Sequence, residues 1–359
     1  MTVVTLAGTG VLCHPPEPVA MRQCGSLWRS CLGDGEMTAT RVGIVGAGWI
    51  TRVHLRVLAG LGDVQVVGIA SRNAEAAGPL AETAGARVFP DHRSMLEEAE
   101  LDAVFVCLPP YAACEPALAV VDRGIALFAE KPLGIDMEGP TAVANAIRSK
   151  GVVSCVGYQW RYLDVVDRAR ELLAAHPARL VVGSWLGETP GAEWWTRKGR
   201  SGGQVVEQAT HIFDLARYLV GEMEPTSATG RRVPREAYPD SDILDVTQTS
   251  VRFGSGAIGS FTTTSLLAGA HRVELETISD GLALTLAVLD HKLAVRRGTE
   301  ATLLAPASEF DTPYRLQNRA FIDAVQGKPN RIRSSYDDAL LTHRLTLAAS
   351  RLADEAAAG

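Results

Sequence analysis

The sequence predicts an α/β chain in two parts: a doubly wound parallel sheet, then a second domain built around a large open sheet, mostly antiparallel. Three observations carry this expectation. From residue 40 to about 157, short apolar runs alternate with Ala-rich helical stretches, the pattern of a parallel sheet covered by helices. From residue 178 onward the apolar runs lengthen and are joined by hairpin turns. The chain also has 359 residues, 47% of them hydrophobic, which is more than a single core usually holds.

The first 39 residues mix Pro, Gly and Cys with isolated apolar residues and show neither helical nor strand period. A disordered extension is expected there, with Met37 a plausible alternative start. The segment lacks the basic start and apolar stretch of a signal peptide. Regular structure is expected from Val42–Val45, a strand that meets a glycine turn and then a helix in "VGIVGAGWITRVHLRVL". The runs "VQVVGIASRN", "ARVFPD", "LDAVFVCLPP" and "IALFAEKPL" read as further strands of this domain, residues 40–157. In the second domain, residues 158–359, strands are expected in "ARLVVGSWLGE", "VTQTSVRFGSGAIGSFTTTSLL", "RVELETISDGLALTLA" and "LAVRRG", with "FGSG" and "SDG" as hairpin turns. Two helices close the chain, "TPYRLQNRAFIDAVQG" and residues 336–357; the last is expected to pack back on the first domain.

Composition narrows the partners. A formal charge of −6 and a pI near 5.8 leave no basic surplus for nucleic acid or an anionic membrane. No apolar run approaches the ~18 residues of a spanning helix. The six cysteines form no CxxC pair and no zinc-spaced group with histidine, which points to thiols in a reducing cytoplasm and to no metal site. A small-molecule substrate is expected.

Four stretches carry chemistry. In "GAGWIT", Gly46 lets the chain turn out of the strand. Gly48 lets the backbone approach a pyrophosphate at the helix N-terminus, where free N–H groups favour anions. Thr51 stands where the third glycine of GxGxxG would be, so the fingerprint is incomplete. About twenty residues on, the strand end that would carry an Asp or Glu for the 2′-hydroxyl of NAD carries Ser71, Arg72 and Asn73. A hydroxyl and a guanidinium suit a 2′-phosphate, so NADP(H) is favoured and NAD(H) remains possible, with Arg72 then stacking on adenine. "FAEKPLG" places Glu130 and Lys131 at a strand's carboxyl end, where open α/β sheets bind ligands. Finally, "SGGQVVEQATHIFDLARYLVG" puts a Gly pair before a helix with Glu207 four residues ahead of His211, so that both side chains share one face. Asp214, three after His211, is either the partner that fixes the imidazole tautomer or a plain surface carboxylate.

Together with "YQWRY", "FIDAV" and "YDDALLTHRLTLAASR", these stretches occur in the order and spacing of the Gfo/Idh/MocA oxidoreductases, which the chain resembles from about residue 40 to its end. The resemblance implies an N-terminal Rossmann domain, a C-terminal α/β domain, NAD(P) as cofactor, and a sugar, glycoside, nucleotide-sugar or cyclitol as substrate. It also implies a homodimer or homotetramer assembled through the C-terminal sheet. Lys131 matches the lysine that hydrogen-bonds the reacting oxygen, and His211 the histidine that exchanges a proton with it. Glu207 stands where the family usually has Asp. The expected cofactor site comprises Gly46, Gly48, Trp49, Ile50, Ser71, Arg72, Leu108, Pro109, Tyr111, Glu130 and Lys131. The expected substrate site comprises Arg161, Trp195, Arg197, Lys198, Glu207 and His211. Many relatives carry His where Ala113 stands, with Tyr111 either a substitute cover for the nicotinamide or a packing aromatic. Trp194 and Trp195 offer either stacking surface for a sugar or packing between domains. His54, His92 and His343 are given no role. Two rival activities attach to the resemblance: a glycosidase or lyase that retains and recycles NAD, and a non-catalytic dinucleotide-binding regulator.

Overall fold

In the computed structural model, which describes residues 39–304 and 309–358, strands and helices alternate through the first half of the chain. They are β1 (Thr40–Val45), α1 (Trp49–Ala59), β2 (Val64–Ala70), α2 (Ala74–Ala84), β3 (Arg87–Phe89), α3 (His92–Glu98), β4 (Ala103–Val106), α4 (Cys114–Asp122), β5 (Ala126–Ala129), α5 (Glu138–Lys150) and β6 (Ser154–Val156). The six strands are parallel, in the order β3-β2-β1-β4-β5-β6. Every residue of β4 and β5 is buried, as their unbroken apolar runs require when helices cover both faces of a sheet. Strand order reverses between β1 and β4, which opens a crevice at the carboxyl ends of the strands.

The rest of the chain forms α6 (Asp164–Ala175), β7 (Leu180–Glu188), α7 (Lys198–Ser201), α8 (Gln204–Glu207), α9 (Thr210–Val220) and β8 (Met223–Arg231). Then come β9 (Val246–Phe253), β10 (Ile258–Leu267), β11 (Arg272–Ser279), β12 (Leu282–Ala287), β13 (Lys292–Arg297), β14 (Glu300–Leu304), α10 (Thr312–Val325) and α11 (Tyr336–Ala358). The second sheet runs β14-β13-β12-β11-β7-β10-β9-β8, antiparallel at every pair except β7–β10. "FGSG" and "SDG" are the β9–β10 and β11–β12 turns. In this second sheet two strands fall outside the expected runs, β8 and β14, as β6 does in the first. Both β8 and β14 are sheet edges, and β8 (MEPTSATGR) holds a proline and few apolar residues, which an edge tolerates because one side of its backbone needs no partner.

Alternation along β9, β11 and β12 turns one face of the sheet onto α6 and α9, where Val181, Phe213, Phe261 and Leu275 close the core. Helix α11 serves both sheets. Tyr336, Ala339 and Leu340 pack into the core beside β4 and β5, while Leu345 and Ala349 pack into the core of the second sheet. The described residues therefore form one compact unit. The expectations for residues 1–38, Met37 included, lie outside the described residues.

Candidate active site

The crevice at the strand-order reversal holds two adjoining cavities that share Gly48, Cys107, Leu108 and Pro109. The first, of about 510 Å³, is lined by Gly46, Ala47, Gly48, Ser71 and Arg72 among others. Gly46 makes the turn out of β1 at φ +112°, and a Cβ there would lie 2.3 Å from the Cys107 carbonyl oxygen. Only glycine fits both conditions. Gly48 caps α1 without a side-chain acceptor, and the first turn of the helix carries no acid. Its N–H groups are therefore available to an anion. Thr51, at the third glycine position, is buried and donates its hydroxyl hydrogen to the Gly46 carbonyl at 3.1 Å, bracing the turn. Ser71 accepts from the Asn73 N–H at 3.1 Å. Arg72 makes no ion pair among the described residues, whereas Glu115 in the same cavity already faces Arg93 and His92.

The second cavity, of about 610 Å³, brings together Lys131, Glu207 and His211, with Trp49, Ile50 and Trp195 on its walls. The expected continuous helix through Glu207 and His211 is broken: α8 ends at Glu207 and α9 begins at Thr210. The His211 N–H turns to Gln208, 3.4 Å away, which leaves the Glu207 carbonyl without its helical donor. Lys131 takes that place. Its Nζ donates to the Glu207 carbonyl and to Glu207 Oε1, both at 2.9 Å, and Trp195 Nε1 donates to Oε2 at 2.6 Å. Both carboxylate oxygens of Glu207 are thus engaged with neighbouring side chains. Gly202 and Gly203, at φ 78° and 87°, lead into this break.

His211 is 7% exposed and sits among aromatic rings, with the Trp160 centroid 4.7 Å and the Trp185 centroid 6.0 Å away and Tyr158 edge-on. Among the described residues its Nδ1 has no hydrogen-bond partner. Burial, and secondarily the nearby Lys131 ammonium, hold the imidazole well below the usual histidine range. It is neutral at neutral pH and ready to accept a proton.

Several expected site residues lie elsewhere. Asp214 neither touches His211 nor lies on the surface: it is 1% exposed and bound by Arg161 at 2.7 and 2.5 Å and by the Thr342 hydroxyl at 2.8 Å. Arg161 is consumed by that network, with Asp338 at 2.5 Å, and does not line the cavity. Arg197 pairs with Asp240 and faces a neighbouring cleft, and Lys198 pairs with Asp354 and Ser350. Tyr111 is 41% exposed beneath the Arg200 guanidinium and lines neither cavity. Spacing alone did not reveal these pairings, because their partners lie on distant elements. The cavity in turn recruits Gln159, Trp185, Gln208 and Tyr314, the last from α10; Gln159 and Gln208 lie in motifs of the resemblance but carried no assigned role, and Trp185 and Tyr314 lie outside them. His54 is the other omission: it is fully buried and bonded to Glu130.

The profile described as "Oxidoreductase family, NAD-binding Rossmann fold" matches residues 40–158, and the GFO/IDH/MocA C-terminal domain matches residues 176–280. The chain belongs to the Gfo/Idh/MocA family. An uncharacterised protein of Schizosaccharomyces pombe is 30% identical over 286 residues, 70% of each chain. Levoglucosan dehydrogenase of Pseudarthrobacter phenanthrenivorans is 26% identical over 262 residues, 62% of this chain and 67% of its own. A solved levoglucosan dehydrogenase, in complex with NADH and levoglucosan, superimposes with a TM-score of 0.81 at 20% identity over 89% of this chain and 98% of its own. This Gfo/Idh/MocA chain is a nicotinamide-dependent dehydrogenase acting on CH–OH groups. Among the described residues no helix is long and apolar enough to cross a membrane, and no cluster of potential metal ligands occurs.

Proposed function

We propose that the chain oxidises a secondary hydroxyl, or reduces the matching ketone, of a neutral sugar or cyclitol. The observation that carries this is the presence of Lys131 and neutral His211 in one cavity adjoining a groove fit for a dinucleotide. The fit rests on the uncapped α1 N-terminus, the Gly46 turn and the continuity of the two cavities across Gly48. The bound nicotinamide would supply the hydride acceptor or donor. His211 takes the proton of the alcohol, or returns one to the carbonyl. Lys131 donates to the reacting oxygen and stabilises charge developing there. Glu207 aims the ammonium, and together with Trp195 forms a fixed wall. Trp185 and Trp194 offer flat apolar surface for a ring.

The charge balance narrows the substrate. Lys131 is the cavity's cationic side chain, and Glu207 neutralises it. Arg161, Arg197 and Lys198 are paired away from it. A carboxylate or phosphate on the substrate would enter without a counter-charge, which favours neutral rings over sugar acids and nucleotide sugars. The free guanidinium of Arg72 beside Ser71 supports NADP(H) as the preferred cofactor. The second sheet turns Val182, Ile258 and Ile278 outward on one face, the two isoleucines flanking Leu180 in register and Val182 two residues along, which supports self-association there.

The test follows nicotinamide absorbance with NADP and NAD against neutral sugars and cyclitols and against uronic acids and sugar phosphates. Net turnover with neutral rings is expected. Turnover confined to anionic sugars would overturn the substrate class, and sugar release without net reduction would point to a cofactor-recycling glycosidase.

A further inference from the structure

His54, on α1, is fully buried among Phe105, Phe128 and Tyr314, with ring centroids 5.1, 5.0 and 6.3 Å away. Its Nε2 lies 3.0 Å from Glu130 Oε1, and its Nδ1 lies 3.0 Å from the Asn318 Nδ2 of α10. The ring thus bridges the α10 amide and the Glu130 carboxylate, Nε2 facing the carboxylate. The other Glu130 oxygen accepts the Lys131 backbone N–H at 3.2 Å. The carboxylate rests on the backbone of Gly157 so closely that a Cβ there would fall 2.4 Å from Oε1.

Glu130 is 8% exposed and forms part of the wall of the cavity beside Lys131, yet among the described residues no Lys or Arg pairs with it. The nearest ammonium, that of Lys131, is committed to Glu207. A buried carboxylate with no Lys or Arg partner is costly to ionise, and a cation arriving in the cavity relieves that cost.

We propose that Glu130, held in place by His54, biases the site toward the oxidised cofactor, whose nicotinamide ring is cationic, over the neutral reduced ring. This rests on reading the cavity as the nicotinamide end of a dinucleotide site. Glu130 is then an electrostatic element, and His54 its positioning residue.

The test measures dissociation constants of NADP+, NADPH, NAD+ and NADH by titration calorimetry on the wild type, on Glu130→Gln and on Gly157→Ala. Glutamine keeps an acceptor for the Lys131 N–H and removes the charge. The alanine methyl displaces the carboxylate. For the better-bound cofactor pair, the ratio of oxidised to reduced dissociation constants should rise at least about tenfold in E130Q, a lower bound for a charge–charge effect at an effective dielectric near 20. It should rise in the same direction in G157A. An unchanged ratio in folded E130Q overturns the proposal, and if E130Q does not fold, G157A decides by the same criterion. An unchanged ratio in an enzyme that still reduces nicotinamide with sugar defeats this inference alone. A wild type that binds none of the four dinucleotides defeats both this inference and the reading of the cavity.

Discussion

At the scale of single residues, the proposed chemistry turns on an imidazole kept neutral by burial. Because the folded His211 lies below the usual histidine value of about 6.5, it stays an effective base well into mild acid. The acid limb of kcat/KM for alcohol oxidation should therefore fall below pH 6.5; a limb at pH 7 or above would contradict the assigned environment. The same shift has a stability sign. Folding favours the unprotonated ring, so its contribution is present above the unfolded value and is lost as pH falls below it. Arg72 gives a second residue-scale prediction. Arg72→Ala should weaken NADP(H) binding more than NAD(H) binding, and equal losses would remove the basis for a preference. Lys131, Glu207 and His211 were legible in the sequence because each sits in a spaced motif. The Trp195–Glu207 bond and the His54–Glu130 pair were not, because a side chain's partner across the fold leaves no trace in local spacing.

Whole elements show where the sequence pattern succeeds and where it is overridden. Buried strands such as β4 (AVFV) announce themselves, and the hairpin glycines place the β9–β10 and β11–β12 turns. The expected helix through Glu207 and His211 instead splits, since Lys131 competes for the Glu207 carbonyl that the helix would have used. That break is what brings an ammonium, a carboxylate and an imidazole to one cavity wall. The turn between β1 and α1 is equally specific. Gly46→Ala would force both a positive φ and a 2.3 Å contact with the Cys107 carbonyl. The change should destabilise the fold by at least about 1–3 kcal/mol in chemical denaturation. A variant as stable as the wild type would show that the turn is less constrained than this geometry requires.

For the molecule as a whole, the two sheets are held as one unit partly by a buried charge network. Arg161 and Asp214 meet Arg217, Asp338 and Thr342, so that the segment after β6, α9 and α11 are locked together. Arg161 was expected at the substrate from its sequence neighbourhood, but the network assigns it to architecture. Asp214→Asn should cost about 3–5 kcal/mol in urea unfolding, because it leaves a buried guanidinium short of charge. A loss under about 1 kcal/mol would contradict that role. The two-sheet design and the position of the crevice were readable from alternation and hairpins. The packing of α11 on the first sheet was expected, whereas the arrival of α10 at the crevice through Tyr314 was not, since long-range packing decides where that helix lies.

The proposed role of His211 is to exchange the substrate proton in the cavity that receives the nicotinamide end of the dinucleotide, with the rest of the cofactor in the adjoining groove. It is tested most directly by measuring kcat and cofactor dissociation constants for His211→Ala side by side. A fall in kcat of roughly 10²-fold or more with cofactor affinity nearly unchanged is the predicted result; an unchanged kcat would contradict it.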